Sequence, residues 1–141
     1  KAYAAADATV DAQELLLALA KNIPYNQDAY TGKLEYPKYA IETLVDQSGD
    51  CEDLSILAAN LAGRLKGFES VAFVFFPEHM GVGIKTTSQD LASRAKNGRL
   101  TGHIEAGKME FLYQETTDSS WALGQIPDMY LKKKATVYPV A

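Results

Sequence analysis

Residues 48–66 read SGDCEDLSILAANLAGRLK, and this stretch organises the rest of the chain. Gly49 permits a turn, and Asp50 is a good N-cap whose side-chain oxygen can accept from first-turn amides, so Cys51 becomes the first helical residue. At about 100° per residue, Leu54, Ser55, Ala58, Ala62 and Leu65 share the face of Cys51, while Glu52, Asp53, Asn60, Gly63 and Arg64 fill the opposite arc. The only cysteine of the chain is therefore expected to point inward, along a small-residue face that can lie close to a sheet. The partly positive helix N-terminus favours thiolate, the nucleophilic form. Asp50, Glu52 and Asp53 oppose this, so the sulfur needs a cationic partner from elsewhere. The competing interpretation is a small buried hydrophobe, the usual role of a lone cysteine.

The chain has 141 residues, 47% of them hydrophobic, enough for one domain with a proper core. With a net charge of −4 and scattered Lys and Arg, no basic surface speaks for nucleic acid. The run Lys132, Lys133 and Lys134 reads as a solvated stretch. No apolar run approaches the ~20 residues that span a bilayer. A start at Lys1 without methionine suggests a piece excised from a longer protein. Compartment stays open, with an extracytoplasmic setting or a place in a larger membrane-associated protein both admitted, and so does oligomeric state. A single cysteine excludes an internal disulfide and zinc sites that need several thiolates.

Residues 1–9 are alanine-rich without a clear period. Asp11 and Glu14 have capping-box spacing ahead of a helix to Lys21. Ile23 to Tyr36 is a loop with three tyrosines, which more often pack as lids over a core than line a groove. Pro37 suits the first turn of a short helix through Val45, with Ile41, Leu44 and Val45 as its buried side. After the cysteine helix ends near Gly67, Val71 to Phe76 reads as a strand covered on both faces. His79 to Ile84 alternates, with His79, Gly81 and Gly83 on a face cleared of side chains, leaving room for a helix terminus or a substrate. Ser88 to Asn97 reads as a short helix stopped by Gly98. Leu100 to Glu105 and Lys108 to Thr116 form a hairpin, with Met109, Phe111, Tyr113 and Glu115 facing one way. Thr136 to Val140 is a last strand. Trp121 is of a type more often found in a core than in a cleft, and nothing in the sequence decides between the two.

A nucleophilic cysteine needs a histidine to take its proton and a third group to fix the imidazole. The order here is Cys51 at a helix start, His79 on a later strand and Glu115 beyond it. With EYPKYAIETLVDQSGDCEDLSILAANLAGRLKG from Glu35 to Gly67, PEHMGVGI from Pro77 to Ile84 and FLYQETT from Phe111 to Thr117, the chain resembles the transglutaminase-like cysteine peptidase superfamily. The resemblance implies an α+β fold with a papain-like core: N-terminal helices, and a central cysteine helix packed on an antiparallel sheet. It also implies Cys51 as nucleophile, His79 as general base and Glu115 as orienting acid, acting on a peptide or protein substrate without metal or cofactor. Glu115 stands where the family commonly has aspartate followed by Pro-Thr, and Asp118 is a nearby substitute. Ser88 to Arg99 looks like an insertion, either a lid or a surface excursion. Amide hydrolysis through a thioester is the expected reaction. Transamidation on the same fold, or a non-catalytic interaction module, are the alternatives. Cys51, His79, His103 and Glu115 include allowable zinc-ligand types but have no ligand spacing, and His103 reads as a surface residue.

Overall fold

The computed structural model describes residues 12–27 and 36–140; the alanine-rich start, the Asp11 cap and Tyr30 lie outside them. Among the described residues, three helices, α1 (Ala12–Lys21), α2 (Ala40–Asp46) and α3 (Cys51–Lys66), precede a sheet of β1 (Val71–Phe76), β2 (His79–Lys85), β3 (Ile104–Ala106), β4 (Met109–Gln114) and β5 (Thr136–Pro139). A fourth helix, α4 (Ser88–Lys96), lies between β2 and β3. The strand order is β3-β4-β2-β1-β5, and every pairing is antiparallel. The architecture is α+β, with β2 at the centre of the order between β4 and β1.

Helix α3 forms as its sequence dictates. Asp50 accepts from the Asp53 amide at its start, and Gly67 (φ 96°) returns its N–H to Gly63 at its end, a conformation that favours glycine. Leu57, Ala58 and Ala62 pack with Val82, Ile84 and Leu112 of the sheet and with Leu17 and Ala20 of α1. Burial of each such Leu, Val or Ile side chain stabilises by about 1.5–3 kcal/mol. Ser55 Oγ donates to the Met80 carbonyl at 3.1 Å and shares a hydrogen bond with Thr116 Oγ1 at 3.0 Å. The first turns of α3 are thereby pinned to β2 and to the chain just past β4.

The far side of the sheet buries Ala72, Val74, Phe76, Phe111 and Tyr113 under Ile126 and Tyr130. The glycine face of β2 belongs to this second core. A Cβ on Gly81 would stand 2.5 Å from the Tyr113 hydroxyl, and one on Gly83 would stand 3.2 Å from Phe111 and Val74. The space over Gly81 and Gly83 is thus filled by Tyr113 and Phe111, and α3 packs on the opposite face, that of Val82 and Ile84. The expected cleared face is closed over the two glycines because their missing side chains make room for large neighbours on β4, and open space is left only at His79, which lines a hollow with Cys51.

Two further expectations are corrected. Asp53 and Gly63, assigned to the outer arc of α3, are buried. Asp53 accepts from the Lys38 N–H at 2.7 Å, and a Cβ on Gly63 would stand 2.4 Å from the Phe68 ring. Helix α2 begins at Ala40, beyond Pro37, and buries only Thr43, while Ile41 (65% exposed), Leu44 and Val45 face outward. Polar contacts dock this segment: Lys38 Nζ pairs with Asp46 at 3.3 Å and donates to the Ser48 carbonyl at 3.1 Å. Helix α4 is capped by Thr87 and tied to α1, since Arg94 and Arg99 both pair with Glu14. Among the described residues, no helix is long and apolar enough to cross a membrane.

Candidate active site

Register brings His79 and Glu115 together. Phe76 and His79 face each other across a two-residue turn, in which Pro77 precedes Glu78 in a left-handed conformation (φ 60°). Pro followed by a positive φ fits a type II turn; a non-glycine residue there costs roughly 1 kcal/mol. Val82 is opposite Gln114, so the antiparallel chain continues from Gln114 back toward the start of β2. His79 Nε2 lies 2.9 Å from Glu115 Oε2 and 3.2 Å from Oε1, with side chains only 10% and 3% exposed.

Glu115 is held from several sides. Its Oε1 accepts from the amides of Thr116 and Thr117, both at 2.9 Å, and from Thr117 Oγ1 at 2.8 Å. Its Oε2 also accepts from the Tyr113 hydroxyl at 3.1 Å. Burial pushes the carboxyl pKa up, but the His79 bond and charge and the Thr117 donors outweigh it and hold it below the ordinary value. Burial, followed by the Glu115 charge, drives the Tyr113 hydroxyl well above its usual range. Tyr113 is therefore a fixed donor. Glu115 is ionised at neutral pH and accepts only, which leaves Nδ1 as the imidazole nitrogen free for other chemistry.

Cys51 begins α3, as expected, and lines with His79 a hollow of about 500 Å³. Its thiol donates to Glu52 Oε2 at 2.9 Å. Burial first, then the Glu52 hydrogen bond and charge, push the thiol up to about 12. A backbone hydrogen bond at Met80 acts the other way but does not prevail. The expected depressed thiolate is thus absent from this geometry, because a neighbouring carboxylate occupies the sulfur's hydrogen-bond direction where a cation was required.

The remaining sequence candidates separate. Asp118 accepts from the Ser120 amide and hydroxyl at 2.8 and 2.7 Å, an Asx-type turn on the surface. His103 pairs with Glu105 at 3.1 Å and does not line the hollow shared by Cys51 and His79. Among the described residues, no three His, Cys, Asp or Glu side chains converge as a metal site. No residue of 88–99 lines the hollow at Cys51.

Two aromatic residues at the site had no motif to mark them. Tyr130 stacks on His79 with ring centroids 4.8 Å apart and planes 2° apart, and on Phe76 at 4.8 Å and 15°. Lys133, in the run read as solvated, has Nζ 5.5 Å from the Tyr130 ring centre. Tyr25 is placed by a parallel bridge to Gly49, with the Asn26 amide donating to the Gly49 carbonyl at 2.9 Å. Tyr25 lines the Cys51 hollow and a second one of about 300 Å³ that also includes His79, Glu115, Trp121 and Tyr130. It is thus a groove residue rather than a core lid, and Trp121 is a cleft residue rather than core. An aromatic residue in a turn-rich loop carries no periodicity that would have placed either.

No protein-family model and no curated protein matches the sequence. Among solved structures the chain is similar to LapG of Legionella pneumophila. The calcium-bound form matches with TM-score 0.57 and 15% identity, covering 90% of this chain and 66% of that one. The EGTA-treated form matches with TM-score 0.58 and 15% identity, covering 90% and 64%. At this identity the likeness concerns the fold. The chain spans somewhat under two thirds of the LapG chains it matches.

Proposed function

We propose that this chain is a transglutaminase-like cysteine peptidase domain, which hydrolyses amide bonds through a thioester on Cys51. The observation that carries the reading is the buried His79–Glu115 pair beside a cleft shared with Cys51. The likeness to LapG at TM-scores of 0.57 and 0.58 supports the fold part of this reading. Glu115 holds the proton on Nε2 of His79, so Nδ1 receives the thiol proton when the sulfur turns from Glu52. The thiolate attacks the carbonyl carbon of a peptide amide, and the backbone N–H of Cys51, at a helix N-terminus, is a natural donor to the developing oxyanion. The imidazolium then protonates the leaving amine. Water, activated by the same imidazole, releases the acyl group as a carboxylic acid.

The test is cleavage of a mixed peptide pool, followed by mass spectrometry with and without an added primary amine. We expect new C-termini that disappear in both Cys51→Ala and His79→Ala. Products carrying the added amine would assign transamidation instead. Cleavage that survives Cys51→Ala would end the reading.

One observation favours a non-catalytic interaction module: the thiol donates to Glu52 and is held protonated. Alkylation of Cys51 by iodoacetamide at neutral pH separates the two. Glu52→Gln should speed alkylation in a catalytic domain with His79 at hand, and His79→Ala should cancel that gain. A thiol as slow in Glu52→Gln as in the parent protein would favour the module.

A further inference from the structure

We infer that the second hollow beside His79 is a subsite for a bulky apolar side chain of the substrate, on the leaving-amine side of the scissile bond. This rests on the hydrolase reading. The hollow, about 300 Å³, has Tyr25, Trp121, Pro127, Met129 and Tyr130 as its apolar and aromatic walls. A volume at the lower limit of small-ligand pockets suits one side chain rather than an extended ligand. The polar groups at its edge are already engaged: Glu115 by His79, Tyr113 and Thr117, and Asp118 by Ser120. Met129 is 66% and Tyr25 is 47% exposed, so the free protein leaves apolar surface in water beside the reacting groups. Tyr130, stacked on both His79 and Phe76, gives the hollow a rigid inner wall.

The direction follows from the chemistry. The sulfur of Cys51 bonds to the acyl carbon, and His79 delivers its proton to the departing nitrogen. Cys51 lines the larger hollow and not this one, whereas His79 lines both. The chain that leaves with the nitrogen therefore continues past His79 toward Trp121 and Met129, and Tyr25 forms the threshold between the two sides. An apolar side chain there covers Met129 and the rings, and an acidic one meets the like charges of Glu115 and Asp118, which line the hollow.

The experiment is a cleavage-site profile of the peptide pool with the full chain, its Met129→Lys and Trp121→Ala variants, and a Cys51→Ala control, with melting curves to verify folding. We expect Phe, Tyr, Trp, Leu or Met to be enriched about tenfold or more within two residues after the cut. Met129→Lys should lower that enrichment and admit Asp and Glu, and Trp121→Ala should lower it without admitting acids. A Cys51-dependent profile that is flat after the cut, or that both substitutions leave unchanged, overturns the subsite and leaves the hydrolase reading standing. Absence of any Cys51-dependent cleavage defeats the hydrolase reading and the subsite with it.

Discussion

Asp53 and Glu115 are buried alike, at 1% and 2% exposure, but the protein solvates them differently. Glu115 is ringed by donors: the imidazole of His79, the hydroxyls of Tyr113 and Thr117, and two backbone amides. Asp53 has the Lys38 N–H on Oδ1, while its Oδ2 has no hydrogen-bond partner and lies 3.5 Å from the Lys38 ammonium. A buried charge is tolerable when a counter-charge and hydrogen bonds replace water. One cation suffices for Asp53, which ties the segment before α2 to the first turn of α3. The donors around Glu115 fix the direction of each oxygen as well, and direction is what an imidazole needs from its partner. The difference is between a carboxylate that holds elements together and one that aims a ring.

The sharpest way to break this comparison is to neutralise Glu115. With Gln at that position the shape is kept, but the amide favours the wrong imidazole tautomer. Turnover on a cleaved peptide should fall by several powers of ten, about 10⁴ by analogy with the buried acid of serine proteases, with the fold intact by circular dichroism. Asp118→Asn is the matched control and should be nearly silent, since Asp118 serves its own turn. An active Glu115→Gln alongside a dead Asp118→Asn would transfer the orienting role to Asp118.

Asp53 should show the opposite profile. Asp53→Ala leaves Lys38, 8% exposed, without its innermost counter-charge and should cost roughly 3 kcal/mol in denaturant unfolding. Lys38→Met, which strands the carboxylate instead, should cost a similar amount. Whatever folded protein remains should retain the alkylation behaviour of Cys51. Unchanged stability in both variants, or a loss of reactivity at full stability, would make Asp53 part of the chemistry and erase the distinction.

How much of this was legible in the sequence differs between the same two residues. Glu115 ends an alternation of Met109, Phe111 and Tyr113, and strand period 2 carries directly to which side chains share a face. Its place near His79 followed from that and from the resemblance. Asp53 sits on the arc that helical period assigns to solvent, and nothing local shows that Lys38, fifteen residues earlier, folds over it. The same limit explains α2, where Ile41 and Val45 have the spacing of a core stripe but Thr43 is the residue that is buried. It also explains Tyr130 and Tyr25, placed by loops whose geometry depends on contacts far away in the chain. The cap of Asp50, the start at Cys51 and the stop at Gly67 were readable because helix ends are set by neighbouring residues.

The smallest expected effect is a pH dependence of stability at Glu115, read without substrate. Glu115 has a folded pKa below the ordinary 4.5 because the His79 bond and charge and the Thr117 donors outweigh the opposing effect of burial. A depressed pKa contributes stability that is present above the unfolded value and is lost as pH falls through the folded one, because below 4.5 the unfolded chain binds the proton first. The urea midpoint of the parent protein should therefore drop on acidification below about pH 4.5 more steeply than that of Glu115→Gln, which has no proton to take up at that position. The two curves should be furthest apart near neutrality and should converge in acid. The comparison also needs no activity, so it isolates the electrostatics of the pair from the reaction proposed for it. A gap that stays constant from pH 7 to the acid transition would mean that the donors around Glu115 do not favour its ionised form, and would remove the physical basis for treating it as the fixed anion that orients His79.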